Sequence, residues 1–256
     1  MSQTALITGA TSGIGYELSK LFAKDHHDLI LVARDRERLA TVAEELTQRF
    51  GISVRVLPAD LAQPEAPQRI HTEIAEVDFL VNNAGFGLGG FFSGTDLQLE
   101  LAMIQVNVTA LVHLTKLYLK PMLRQRRGGI LNVASTAAFQ PGPLMAVYYA
   151  TKAFVLSFTE AIANELQGSG VKVTALCPGP TQTEFQQRAR IENTRLMKSK
   201  PLGVMSASEV AAIGYKGFME GKVIVIPGTM NKLVVQSVRL SPRAIVRRIT
   251  RKLQES

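Results

Sequence analysis

Tryptophan is absent from this chain, aromatic residues of every kind make up 6% of it, and there is one cysteine, Cys177. A lone thiol excludes an internal disulfide framework and fits a reducing compartment. No such framework is needed, because a domain of 256 residues hides roughly 70–75% of its unfolded surface. Uninterrupted apolar runs of membrane-spanning length are also missing. The longest candidate, Pro143 to Phe158, is broken by Lys152, so no spanning helix is expected. Met1-Ser2-Gln3 starts no basic segment followed by an apolar core and a cleavage site, and no signal peptide is expected. The four histidines, His26, His27, His71 and His113, are joined by no Cys, Asp or Glu at ligand spacing. No metal is expected.

Charge of one sign is scarce over most of the chain. Residues 1–231 carry 22 Lys/Arg against 20 Asp/Glu, whereas 232–256 carry 7 against 1, so +6 of the net +8 sits in the last 25 residues. That lopsidedness argues against a nucleic-acid-binding body, and the basic tail has no aromatics for stacking on bases.

What is present is alternation. Short β-rich apolar runs occur at Thr4–Thr8, Leu29–Val32, Val54–Leu57, Phe79–Val81, Ile130–Val133, Val171–Leu176 and Val223–Ile226. Helix-length segments separate them: Ile14–Lys24, Arg36–Phe50, Pro67–Ala75, Leu97–Arg126, Tyr148–Gln167 and Ala207–Met219. This pattern predicts an α/β fold, a single doubly wound Rossmann-type domain with a seven-stranded parallel sheet flanked by helices. The catalytic domain is expected to span 1–231, with a lid at about 180–206 because that irregular stretch is too long for an ordinary connection, and 232–256 to be a basic amphipathic extension.

The first strand runs into Thr8-Gly9-Ala10-Thr11-Ser12-Gly13-Ile14-Gly15 and then a helix. Glycines let the backbone approach a pyrophosphate, and the helix N-terminus offers free N–H groups, so Gly9, Thr11, Ser12, Gly13, Ile14 and Gly15 are candidate cofactor contacts. Nineteen residues after Gly15, at the end of the second strand, stands Arg34, where binding of a ribose 2′-hydroxyl would call for an acid. An arginine pairs with a 2′-phosphate and favours NADP(H); the adjacent Asp35 could reach the hydroxyl instead. Tyr148 and Lys152, four apart on a helix, share one face. A phenol becomes a useful acid–base catalyst near neutrality when a cation stabilises its phenolate, and Ser135 is placed to stabilise charge building on a carbonyl oxygen.

In this order, Thr8-Gly9-x3-Gly13-x-Gly15, Asp60-Leu61, Asn82-Asn83-Ala84-Gly85, Asn107, Ser135, Tyr148-x3-Lys152 and Pro178-Gly179 resemble the short-chain dehydrogenase/reductase superfamily, from Thr4 to about Ile226. The phrase Leu31 to Asp35 looks most like its NADP-dependent carbonyl and oxoacyl reductases. The resemblance implies that Asp60 contacts the adenine ring, that Leu61 beside it is a cofactor contact, and that Asn82, Ala84 and Gly85 line the cofactor groove. It implies that Asn107 holds a water in a proton relay through Lys152 and the cofactor ribose to Tyr148, and that Pro178, Gly179 and Thr183 enclose the nicotinamide end, with Thr181 a further cofactor contact. It also implies a homodimer or homotetramer, formed on the helices at Leu97–Arg126 and Tyr148–Gln167. Tyr149 plus four is Ala153, so Tyr148 alone fits the motif.

The activity expected is hydride transfer between NADP(H) and a ketone, aldehyde or secondary alcohol, in the cytoplasm. The alternative is a non-catalytic dinucleotide-sensing or interaction module on the same fold, which the complete set Asn107, Ser135, Tyr148 and Lys152 speaks against. Phe86, Phe91, Phe92, Phe139 and Phe185 are candidate walls of an apolar pocket or ordinary core. In the tail, Ser241-Pro242 reads as a helix start and Ile245, Val246, Ile249 and Leu253 as one apolar face. That face either docks on the protein's own body or gives peripheral contact with an anionic membrane.

Overall fold

The computed structural model describes residues 2–189, 191, 194–195 and 204–255. Seven strands form one parallel sheet: β1 (Thr4–Thr8), β2 (Asp28–Ala33), β3 (Val54–Pro58), β4 (Phe79–Asn82), β5 (Gly129–Val133), β6 (Lys172–Leu176) and, at the far edge, β9 (Ile224–Val225). Their order is β3-β2-β1-β4-β5-β6-β9, with Ile7 opposite Leu31 on one side and Val81 on the other. A small parallel pair, β7 (Thr181–Gln182) and β8 (Met205–Ser206), stands apart.

Strands buried on both faces must be apolar at every position, because successive side chains point to opposite sides. On β1, Ala5 and Ile7 enter the core beneath α1 (Gly13–Lys24), α2 (Arg36–Phe50) and the helix Ala207–Met219, while Leu6 enters the opposite core. That second core is covered by α3 (Ala66–Glu73), α5 (Leu111–Gln125) and α6 (Ala146–Glu165). Local signals set the helix ends: Asp35 accepts from the Glu37 and Arg38 N–H groups to start α2, and Gly51, at φ 67°, ends it.

The expected helix at Leu97–Arg126 is α4 (Leu97–Ile104), a π-helical turn (Gln105–Ala110) and α5, continuous over 29 residues from Leu97 to Gln125. An 18-residue window of it has a mean hydropathy of 1.3, so the helix is long and apolar enough to cross a membrane by length and composition, although polar residues interrupt every apolar run within it. Here Leu114, Tyr118 and Met122 pack on the sheet as core.

After β6 the chain forms α7 (Phe185–Ala189), α8 (Ala207–Met219), α9 (Thr229–Leu240) and α10 (Arg243–Gln254). The boundary expected at 231/232 falls inside α9. Residues 190, 192–193 and 196–203 of the expected lid lie outside the described residues.

Candidate active site

A cleft of about 1050 Å³ opens at the C-terminal ends of the strands, where β1 and β4 part and the strand order reverses, the usual binding position in such a sheet. Gly9 and Gly13 both have positive φ, and a Cβ on Gly9 would stand 2.8 Å from Asn83 Nδ2. Thr11, Ser12, Gly13 and Ile14 line the cleft. Ser12 begins α1 in an extended conformation without a side-chain cap, which leaves the first helical N–H groups for an anion. Gly15 is not at the cleft surface. A Cβ there would lie 2.3 Å from the Gly9 carbonyl oxygen, so its smallness serves the close seating of α1 on the strand.

At the end of β2, Arg34 is exposed and lines the cleft. Asp35 is occupied as the α2 cap and lies 3.5 Å from Arg38, which also contacts Glu184 at 3.3 Å. Among the described residues Arg34 has no carboxylate partner, whereas Arg38, not singled out in the sequence, is paired. Asp60 and Leu61 line the same end, with Asp60 Oδ1 accepting from Ala62 N–H at 3.0 Å.

Asn82 departs from expectation. It is buried away from the cleft, donating to Thr115 Oγ1 at 3.1 Å and Asn132 Oδ1 at 2.9 Å. The cleft is lined instead by Asn83, which donates to the Thr8 carbonyl at 2.9 Å, and by Ala84 and Gly85. Strand alternation is the reason: of two adjacent asparagines at a strand end, one faces the core and the other the ligand side.

Ser135, Tyr148 and Lys152 converge in the cleft. The Ser135 hydroxyl donates to the Pro178 carbonyl at 3.4 Å and accepts from Ala137 N–H at 3.1 Å, and the Lys152 ammonium lies 5.9 Å from the Tyr148 ring centre. Lys152 donates to the Val133 carbonyl at 2.7 Å. Burial lowers its pKa to about 8. Tyr148 is shifted above the ordinary tyrosine range by burial, against a smaller lowering from Ser135. This is opposite to the lowering by Lys152 expected from the motif, because desolvation of a phenolate outweighs a cation that is itself desolvated and engaged elsewhere. Cys177, behind Lys152, is buried and its thiol pushed up to about 12.

Asn107 sits in the π-helical turn, a feature that often marks functional positions. Its Nδ2 donates to the Phe86 carbonyl at 3.0 Å and Thr151 Oγ1 at 3.1 Å, and its Oδ1 accepts from Phe86 N–H at 3.1 Å. The side chain therefore ties the loop after β4 to α6. A Cβ on Gly85 would stand 3.0 Å from Asn107 Oδ1 and 3.5 Å from Lys152 Nζ, so loop, asparagine and lysine meet at one point.

Pro178, Gly179, Thr181 and Thr183 form the far wall. Thr181 Oγ1 donates to the Gly179 carbonyl at 2.9 Å, and the Gln186 amide donates to the Thr181 carbonyl. Thr183 faces Gly13 across the groove, where an added Cβ would meet it at 3.0 Å. Of the five phenylalanines considered as pocket walls, Phe86 and Phe185 line the cleft, Phe139 packs in a core cluster, and Phe91 and Phe92 are exposed.

The last wall was not legible as such. Val246, Thr250, Leu253 and Gln254 of α10 line the cleft, and Gln254 Nε2 donates to the Tyr149 hydroxyl at 2.7 Å. The inward stripe is Val246, Thr250 and Gln254, all buried, while Ile245 and Ile249 are half exposed. The docked face is thus rotated from the one that hydropathy selects, because Gln254 finds a phenol to bond.

The family model for short chain dehydrogenases matches residues 3–194. This chain belongs to the short-chain dehydrogenase family. Among this dehydrogenase's relatives, sulfoacetaldehyde reductase 2 of Chromohalobacter salexigens is 41% identical over 191 residues, 72% of this chain and 75% of that protein. 17-beta-hydroxysteroid dehydrogenase type 3 of Mus musculus is 34% identical over 219 residues, 84% and 70% of the two chains. A short-chain dehydrogenase from Sphingobium yanoikuyae, solved in complex with NADPH, superposes with a TM-score of 0.83 at 33% identity, covering 93% of this chain and 94% of that one.

Proposed function

We propose that this dehydrogenase transfers a hydride between NADP(H) and a ketone, aldehyde or secondary alcohol, acting as a carbonyl reductase of the alcohol dehydrogenase type. The observation that carries the reading is the convergence of Ser135, Tyr148 and Lys152, with the Lys152 ammonium 5.9 Å from the Tyr148 ring centre, in a cleft with a glycine-rich anion cradle. The cradle fits a dinucleotide: Gly9 and Gly13 give backbone approach, the open start of α1 suits the pyrophosphate, and Arg34 suits a 2′-phosphate. Asp35, spent on capping α2, is withdrawn from a ribose hydroxyl. The Sphingobium protein's NADPH supports the same choice. Bound there, the cofactor supplies or accepts the hydride.

The chain's own residues do the rest. Ser135 donates a hydrogen bond to the substrate oxygen as charge builds on it. Tyr148, kept protonated at neutral pH by its burial, delivers the proton as general acid. Lys152 replenishes Tyr148, and Asn107 positions the loop around both. Both amide hydrogens of Asn107 are engaged, so a relay water here would be held by the main chain of the π-helical turn or the second lone pair of Oδ1. The apolar stripe left exposed on α4, Leu97, Leu101 and Ile104, with Phe154 on α6, supports a homodimer or homotetramer. The buried free thiol and the basic α10 go with a cytoplasmic enzyme in peripheral contact with a membrane.

The test follows NADPH absorbance over a panel of aryl ketones, 3-oxoacyl thioesters, diketones and sugars. Tyr148→Phe should lower turnover by ~10²–10⁴-fold with NADPH binding, read by fluorescence, retained. Arg34→Ala should cost roughly ten- to hundredfold in NADPH efficiency, the worth of a charge-assisted contact, and leave NADH use little changed. Equal losses for both cofactors would make Arg34 structural, and a wild-type protein that binds NADPH but turns over none of the panel would favour the non-catalytic module.

A further inference from the structure

The outer side of α10 carries more than a solvated basic face. Around the helix, leaving the inward stripe of Val246, Thr250 and Gln254, come Arg247 and Arg251, then Arg248 and Lys252, then Ile245 and Ile249. All six are exposed, Ile245 and Ile249 by 50% and 54%. Leu240, at the corner between α9 and α10, is 89% exposed. Arg251 lies 5.8 Å from the Phe91 ring centre, which brings the loop of Phe91 and Phe92, 64% and 66% exposed, to the margin of the same surface. Aromatic anchors, absent from the tail sequence, are thus supplied by a loop some 150 residues away in the chain. Isolated exposed apolar residues are ordinary, but exposed apolar side chains flanking four cations on one helix have the composition of an interfacial surface. Ile249 also lines the cleft, as does Leu99, 45% exposed. The cleft therefore opens beside this surface.

We infer that α10, the Leu240 corner and the Phe91–Phe92 loop form a docking surface for an anionic lipid bilayer. The substrate mouth faces the leaflet, so that the enzyme draws an apolar, membrane-dissolved ketone or alcohol. Charge complementarity selects this occupant: α10 carries Arg247, Arg248, Arg251 and Lys252, and the one carboxylate of residues 232–256, Glu255, is paired to Arg251 at 3.1 Å. Apolar side chains between the cations reach the acyl boundary while the cations meet the headgroup phosphates. The docking claim stands on the surface alone; the substrate class rests on the hydride-transfer reading.

The test uses the full chain and co-sedimentation with phosphatidylcholine vesicles, with and without phosphatidylserine. The protein should pellet with the anionic vesicles at low salt, be released at high salt, and stay in solution with the neutral ones. Each basic residue near the surface contributes about fivefold to partitioning, so Arg248→Glu/Lys252→Glu should weaken binding by on the order of twentyfold. Leu240→Ser/Ile245→Ser should weaken it too, with both variants keeping the thermal melt and the turnover of a water-soluble ketone. Equal pelleting with neutral vesicles, none with anionic vesicles at low salt, or variants that bind as well as wild type would overturn the inference. So would a shift of duplex DNA without vesicle binding, or loss of a dimer in Leu240→Ser/Ile245→Ser with vesicle binding unchanged, which would make the face an interface between copies. Vesicle-dissolved ketones should be reduced faster than by the charge-reversed variant. Vesicle binding without NADPH oxidation on any ketone would sink the reductase reading and leave the docking surface standing.

Discussion

Lys152 has no carboxylate partner among the described residues; its ammonium rests on the Val133 carbonyl, within a wall that also holds Cys177. Burial favours its neutral form, which brings its pKa down to about 8, so the proton it is proposed to pass on is present below that pH and lost above it. Tyr148, shifted upward, keeps its proton through the same range. Ketone reduction should therefore hold level through neutral pH and decline as pH rises through about 8. In Lys152→Arg, whose guanidinium stays charged, the decline should move to higher pH in whatever activity remains. A limb near pH 8 in both proteins would assign the ionisation to another group. Tyr149 shows how context separates neighbours: one position along the helix from Tyr148, its hydroxyl is turned to Gln254 and its ring lies against Gly142.

The β1–loop–α1 unit does two jobs with three glycines, and geometry tells them apart. Gly9 and Gly13 need positive φ beside the groove, whereas Gly15 has an ordinary backbone conformation and no room for a Cβ. Gly15→Ala should cost stability in urea unfolding, about 1–3 kcal/mol as for other overpacked cores, while Gly94→Ala, with nothing within 4 Å of the added methyl, should not. Equal melting of Gly15→Ala and wild type would show that α1 can slide outward without penalty. The π-helical turn between α4 and α5 is a second local device. It places Asn107, 1% exposed, where it ties the loop after β4 to Thr151.

At the scale of the whole molecule, α10 closes the cleft that the sheet opens. Its contacts with the body include Val246, fully inside, and the Gln254–Tyr149 hydrogen bond. Ending the chain after Ser241 removes roughly 2–3 kcal/mol of apolar burial and bonding, which corresponds to a fall in Tm on the order of 5–10 °C for a domain of this size. The KM for bulky ketones should rise more than that for small ones, because the lost wall is far from the Ser135 hydroxyl in sequence but shares the substrate cavity. An unchanged melt would mean that α10 rests on the surface without packing into it.

Strand number, parallel pairing and the order of motifs were legible from residue pattern, because a doubly covered strand has to be apolar on both faces and a glycine-rich strand-to-helix turn has few other uses. The positions of Ser135, Tyr148 and Lys152 were readable for a similar reason: spacing along one helix and placement at strand ends are local facts. Other features depended on how distant segments met. Asn82 and Asn83 are identical in type, and only the twist and register of β4 decide that Asn82 joins the core network while Asn83 reaches Thr8. The hydrophobic stripe of α10 was readable, but its rotation was not, since Tyr149 lies 105 positions from Gln254. Side-chain type and periodicity are carried along the chain; desolvation, which raises Tyr148 and lowers Lys152, comes from everything packed around them and exists only once the chain has folded.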